Sequence, residues 1–207
     1  MTSREPVLLA SRSTGKLREL LPMFEAAGIP VADLTAAGLP YDPAEEAIEA
    51  FDSFEENALA KARHFFRLTG RPTVADDSGL EVAVLGGAPG VRSKRWSGRD
   101  DLEGAALDAA NNRRLLEQLQ GVTDRRARYV CIAAYVDARG ELFARGEVEG
   151  RLLEAPAGAG GFGYDPYFVP AAGDGRTFAE LSREEKEQLS HRGRAFAALL
   201  DDLGGSR

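Results

Sequence analysis

The sequence predicts a mixed α/β fold, and three observations carry that prediction. Short apolar runs such as Val7-Leu8-Leu9-Ala10 and Tyr129-Val130-Cys131-Ile132-Ala133-Ala134 have the length of buried strands. Other stretches repeat their apolar residues at helical spacing, between capping residues and glycines. Polar, glycine-containing clusters fall at the junctions of the two patterns, which suits strand-to-loop sites.

Taken in order, Pro6 to Ala10 reads as a short buried strand that breaks into the turn Ser11-Arg12-Ser13-Thr14-Gly15-Lys16. Leu17, Leu20, Leu21 and Phe24 then mark a helix that ends at Gly28, and Ile29 to Leu34 reads as a second strand. Thr35 to Asp52 is rich in Ala, Gly, Pro and Glu and reads as a loop or flap. Ser53-Phe54-Glu55-Glu56 has capping-box spacing, and Phe54, Ala58, Ala62 and Phe65 continue a helix to about Thr69. Pro72 to Ala75 reads as a strand ending at the acidic pair Asp76-Asp77, with Ser78-Gly79 as turn residues.

Gly86 to Gly90 is a glycine-rich loop, and Asp101 to Gln120 reads as a helix. Ala127–Asp137 and Leu142–Leu153 are β-rich runs joined by a hairpin-like turn at Ala138-Arg139-Gly140. Gly158 to Gly163 is a second glycine-rich loop. Ser182-Arg183-Glu184-Glu185 is another capping-box spacing, and Phe196, Leu199, Leu200 and Leu203 form a terminal helical stripe. The 207 residues, 43% apolar and 29% charged, read as one domain spanning 1–207.

Composition narrows the function. A net charge of −7 argues against broad binding to a nucleic-acid polymer or an anionic membrane. Cys131 is the one cysteine, so there is no disulfide framework, and its apolar run reads as a buried small hydrophobe. With no signal-peptide pattern and no membrane-length apolar run, the cytoplasm is the expected compartment.

Four polar clusters carry candidate chemistry. Ser11 to Lys16 sits where a strand enters a helix, so backbone N–H groups and the helix dipole can meet an anion, with Lys16 adding charge. The same residues also suit a plain helix cap with Ser13 or Thr14 as N-cap. Asp76-Asp77-Ser78-Gly79 places two carboxylates side by side, which suits Mg²⁺ bound together with substrate phosphates, or a tight turn. Gly160-Gly161-Phe162-Gly163-Tyr164-Asp165-Pro166 leaves room for a flat ring on Phe162 and a base edge at Asp165, or forms a turn around one buried aromatic. Lys186 with Ser190-His191-Arg192 forms a donor-rich set if the helix breaks near Leu189, or serves as dipole compensation. Together these suit a nucleotide polyphosphate with Mg²⁺.

The chain resembles the inosine triphosphate pyrophosphatases, also called dITP/XTP pyrophosphatases. The resemblance runs nearly end to end: Leu8-Leu9-Ala10-Ser11 with Lys16, then Ser53-Phe54-Glu55-Glu56-Asn57-Ala58 with Lys61-Ala62. It continues through Ala75-Asp76-Asp77-Ser78-Gly79-Leu80, Gly86-Gly87-Ala88-Pro89-Gly90 and Ser93-Lys94-Arg95. It closes with Gly161-Phe162-Gly163-Tyr164-Asp165-Pro166, Glu185-Lys186 and Ser190-His191-Arg192-Gly193.

The resemblance implies an elongated mixed sheet with flanking helices, two lobes around a central cleft, and a homodimer. It implies Mg²⁺-dependent hydrolysis of ITP, dITP and XTP to the monophosphate and pyrophosphate, which cleanses the nucleotide pool. Carried over, Ser11, Arg12, Ser13, Thr14, Gly15 and Lys16 hold the triphosphate, and Ser78 contacts substrate. Asp77 is the catalytic base and a metal ligand, with Glu49 as the second ligand and Glu46 as its alternative. Phe162, Gly163, Tyr164 and Asp165 stack on and read the base, while Lys186, His191 and Arg192 bind base and phosphate. The family's first motif carries Asn three residues before its lysine, where this chain has Ser13. A pyrophosphatase for pyrimidine or modified nucleotides, and a non-catalytic nucleotide-binding protein, are the alternative functions.

Overall fold

Val7–Leu9 is apolar and flanked by Pro6 and the Ser11 turn, and in the computed structural model, which describes residues 6–205, it forms strand β1. The other strands are β2 (Val31–Asp33), β3 (Thr73–Val82), β4 (Arg126–Asp137), β5 (Gly140–Leu152) and β6 (Phe168–Pro170). They form one six-stranded sheet in the order β2-β1-β3-β4-β5-β6. The sheet is mixed. β1 runs parallel to β2, pairing Leu8 with Ala32, and parallel to β3, pairing Leu8 with Thr73. β5 and β6 pair antiparallel, with Arg151 opposite Val169.

The flanking helices are α1 (Thr14–Ala26), α2 (Phe54–Thr69), α3 (Gly104–Gln118), α4 (Arg183–Leu189) and α5 (His191–Gly205). Their boundaries follow local chemistry. Ser13 caps α1 by accepting from the Lys16 amide, and Ser53 caps α2 by accepting from the Glu56 amide. At Ser53 the expected box is only half formed, because Glu56 takes its bond from the Ser53 hydroxyl at 2.8 Å rather than from the backbone. The second box, Ser182 with Glu185, is complete in both directions. The break expected near Leu189 falls at Ser190, whose extended backbone separates α4 from α5.

Two sequence expectations change. Thr35 to Asp52 is not wholly loop, since Asp42 caps a short 3₁₀ turn over Pro43–Ala47. More consequentially, the strand expected to end at Ala75 runs on through Asp76, Asp77, Ser78 and Gly79 to Val82, with no turn there. β3 lies inside the sheet between β1 and β4, and its ladder outweighs the local turn preference of Asp, Ser and Gly. Strand alternation also relieves the acidic pair, because successive side chains point to opposite faces.

By contact density the chain forms two compact units, each assembled from separated segments. The first comprises residues 1–77, 131–146 and 194–207, and the second residues 78–130 and 147–193. Each has its own core. Leu9, Phe24, Val74, Cys131, Phe196 and Leu199 centre the first; Leu80, Leu115, Tyr129, Leu152, Phe168 and Phe178 centre the second. Among the described residues no helix is long and apolar enough to cross a membrane.

Candidate active site

In the first unit, the chemistry gathers around the C-terminal half of the β3 segment that this unit contains. Asp76 is fully buried and Asp77 nearly so. From the first turn of α1, Lys16 reaches the Asp76 carboxylate at 3.0 Å and its carbonyl at 3.4 Å. Cys131 of β4 lies 3.9 Å from the same carboxylate, so the buried thiol touches the cluster as well as filling space.

α2 supplies two further groups. Asn57 and Lys61 are four residues apart and so share a helix face. Asn57 donates to Asp77 Oδ2 at 3.1 Å and to the Phe51 carbonyl at 3.1 Å, and accepts from the Phe51 amide at 2.9 Å. Lys61 is ion-paired with Glu49.

Electrostatics follows from burial opposed by these lysines. Burial pushes the Asp77 carboxyl up, and despite the opposing charges of Lys61 and Lys16 it stands at about 6. Burial also pushes Glu49 upward, but Lys61 and Lys16 outweigh it and hold Glu49 below the usual range. For Lys61, burial disfavours the charge, yet Glu49, Asp76 and Asp77 together raise its pKa.

The turn from Ser11 to Lys16 leads from β1 into α1. Ser11 is buried and its hydroxyl accepts from the Ser13 amide at 3.3 Å. Thr14 and Gly15 open α1, where amides have no intrahelical acceptor. Arg12 is turned elsewhere: its guanidinium forks the Glu45 carboxylate at 2.6 and 3.0 Å and donates to the carbonyls of Leu39 and Pro40. Of the two glutamates considered for metal, Glu49 sits with Lys61 and near Asp76, while Glu46 is exposed and bonded by the Tyr41 hydroxyl. Among the described residues, no three His, Cys, Asp or Glu side chains form a metal cage.

In the second unit, the glycine-rich loop and the α4–α5 junction come together. Lys186 bonds the Asp165 carboxylate at 2.5 Å, both groups being almost wholly buried. The same ammonium lies 5.0 Å from the Phe162 ring centre, and the Arg192 guanidinium lies 5.6 Å from it. Asp165 also accepts from the Phe162 amide at 2.8 Å, folding the loop on itself. Gly161 permits this, since its φ is +69° and a Cβ would strike the Asp165 carboxylate. Arg192 donates to Ser78 Oγ at 2.8 Å. His191 is buried and stacks on Tyr129, with ring centres 4.4 Å apart.

Residues that sequence reasoning left without a role complete both groups. Asn57 and Lys61 were visible only as motif letters. Asp108, Asn112 and Tyr129 read as ordinary helix and strand positions, yet they touch the loop and His191. Tyr164 sends its hydroxyl to the Ser93 carbonyl at 2.8 Å, so its polar end supports the loop.

Known proteins share this arrangement of sequence. A Mycolicibacterium paratuberculosis protein named dITP/XTP pyrophosphatase is 53% identical over 96% of this chain and 95% of its own length. An Escherichia coli O157:H7 protein of the same name is 45% identical over 96% of this chain and 98% of its own. The Staphylococcus aureus Ham1 protein structure superposes with a TM-score of 0.82 at 33% identity, covering 98% of this chain and all of that one. A Mycobacterium abscessus structure named nucleoside-triphosphatase / dITP/XTP pyrophosphatase gives a TM-score of 0.71 at 46% identity, over 95% of this chain and 99% of that one. The Ham1 family matches residues 7–202. By that match, and by relatives alike over nearly their full lengths, this chain belongs to the Ham1 family.

Proposed function

We propose that this protein is a Mg²⁺-dependent nucleoside triphosphate pyrophosphatase that hydrolyses dITP, XTP and ITP to the monophosphate and pyrophosphate. The observation that carries it is Asp77: a buried carboxylate at about 6, oriented by Asn57 and faced by two lysines. Relatives named for dITP and XTP, up to 53% identical over nearly the whole chain, support the choice of substrate.

Asp77 is basic enough to accept a proton from water and ionised at neutral pH, the compromise that a general base requires. Asn57 holds its Oδ2, so the remaining carboxylate oxygen is directed rather than free to rotate. Lys16 and Lys61 supply positive charge to phosphates, and the opening amides of α1 at Thr14 and Gly15 add donors.

A hard divalent cation fits this group. Asp77 and Glu49 are oxygen donors, and burial, with Glu49 adding to it, raises Asp77 despite two lysines, so a positive charge bound beside it would favour its ionised form. Asp77 and Glu49 would hold the ion, which would supply positive charge to polarise the phosphate oxygens and offset charge developing on them.

The second group reads the base. Phe162 offers an aromatic face, and Lys186, His191 and Arg192 are donors suited to a purine 6-keto oxygen. Adenine presents an amino group there, which leaves such buried donors unmatched and gives strong rejection. We further propose that the active form is a homodimer acting in the cytoplasm on free nucleotides.

Incubation with ITP, dITP, XTP, dATP, dGTP, UTP and dTTP, with and without Mg²⁺, followed by ion-exchange separation of products, tests this reading. The deaminated purines are expected to give monophosphate and pyrophosphate only with Mg²⁺. Orthophosphate in place of pyrophosphate, or equal rates on dATP, overturns it.

A further inference from the structure

The bonds between Phe162 and Asp165 close the base-reading loop but leave its middle residue to be held from outside. Its central residue, Gly163, has φ of +63°, a left-handed conformation without a repeating hydrogen-bond pattern to sustain it. Both polar groups of this residue are instead held by one helix. Asp108 of α3 accepts from the Gly163 amide at 2.8 Å, and Asn112 donates to the Gly163 carbonyl at 2.8 Å. The two residues are four apart, so they lie one above the other on the same helix face.

The grip is rigid at its base. The Asn112 amide nitrogen also donates to the Asp108 carbonyl at 2.9 Å, which fixes its rotamer. Asn112 is buried, and Asp108 is half-buried. Next door, Asn111 anchors α3 to a different segment, donating to the Lys94 carbonyl and accepting from the Ser97 amide. α3 is therefore fixed independently of its hold on Gly163.

What the grip sets is the position of two nearby residues of the loop. Phe162 precedes Gly163 and lies against Lys186 and Arg192, while Asp165 binds Lys186. We infer that Asp108 and Asn112 are positioning residues: by clamping Gly163 they hold Phe162 and Asp165 in the arrangement that selects the purine. This rests on the proposed function, because it names residues that tune base recognition in that reaction. The expected effect of the clamp is therefore on base selection rather than on the chemical step.

Steady-state kinetics of Asn112→Ala and Asp108→Ala against dITP and dATP test the clamp. Losing a buried hydrogen bond to the loop is expected to raise KM for dITP about tenfold and to narrow its advantage over dATP, with kcat within about twofold. Asp108→Asn keeps an acceptor for the Gly163 amide and is expected to recover most of the wild-type KM. Asn111→Ala is the control for general damage to α3: it is expected to lower stability without moving KM. Equal KM increases in Asn111→Ala and Asn112→Ala, or lowered stability with unchanged KM in both clamp variants, overturn the inference.

Hydrogen exchange followed by mass spectrometry, which needs no substrate, reads the same contacts. Peptides covering 160–165 are expected to exchange faster in Asp108→Ala and Asn112→Ala but not in Asn111→Ala; unchanged protection in the clamp variants overturns the clamp. Wild-type protein inert towards every purine triphosphate would defeat the proposed function and the selectivity role with it. The exchange result still decides whether the clamp orders the loop.

Discussion

Tyr129 and His191 lie ring on ring, with centres 4.4 Å apart and planes only 5° from parallel. Tyr129 stands on β4 and also meets Phe168 edge-on at 4.8 Å, while the Tyr164 backbone hydrogen-bonds its hydroxyl. Burial, with Asp165 nearby, holds that phenol far above its usual pKa, so it stays neutral. One strand residue thus braces both the histidine and the loop of the second unit.

Tyr129→Leu is expected to destabilise the protein by about 2–3 kcal/mol through lost packing and to raise KM for dITP. Tyr129→Phe keeps the stack and loses only the hydroxyl bond, about 1 kcal/mol. Urea unfolding and KM measured on the same preparations separate the two effects. If both variants match in KM, the stack does not orient His191.

Asp77→Asn is expected to abolish most turnover, about 10³-fold, while stabilising the protein in the absence of divalent cations. Asp77 titrates at about 6 in the folded chain against an ordinary value of 3.8. Between those values the unfolded chain has lost this proton while the folded chain keeps it, so stability falls as pH rises. The penalty is complete above the folded value and amounts to roughly 3 kcal/mol. Thermal unfolding across about pH 4 to 8 with chelator present should show the variant ahead at the alkaline end and level near pH 4. A constant offset at every pH would contradict the shift.

Lys61→Met removes a charge that opposes the burial of both Asp77 and Glu49. Both carboxyls should then hold their protons to higher pH, and the acid limb of the rate profile should move in the alkaline direction. Initial rates at saturating dITP over about pH 6 to 10 measure that limb. A lower rate with an unmoved limb would mean that Lys61 does not tune the base.

The Asp165–Lys186 pair is buried on both sides. Lys186→Met alone leaves a carboxylate without its counter-ion and is expected to cost about 3–5 kcal/mol. The double variant Asp165→Asn, Lys186→Met should be more stable than that single one, since no charge is left stranded. Denaturant midpoints of the four proteins in the cycle give the coupling. Independence of the two substitutions would rule out a tight pair.

Much of this fold is readable locally. The caps at Ser13, Ser53 and Ser182, the helix break before His191 and the Ala138-Arg139 connection each depend on residues close in sequence. The acidic pair was not readable in that way. Asp-Asp-Ser-Gly has turn chemistry, and its extended course is imposed by β1 and β4, which come from distant parts of the chain. Partnerships across long separations were likewise hidden. Asn57 meets Asp77 across 20 positions, Asp108 meets Gly163 across 55, and Arg12 turns to Glu45 across 33. Side-chain type made Asp77 and Phe162 candidates, while the residues that hold them were indistinguishable from ordinary helix.

The first core draws Ala195, Phe196 and Leu199 from α5 as well as Leu9 and Phe24 from near the start of the chain. During synthesis, therefore, the early strands and helices of that unit emerge with their apolar faces uncovered. They cannot finish packing until residues 194–200 have left the ribosome. The second unit draws on residues 78–130 and 147–193, so its chain is complete sooner. The order in which the units can close thus runs opposite to the order in which they begin: the half that begins first is the half that closes last.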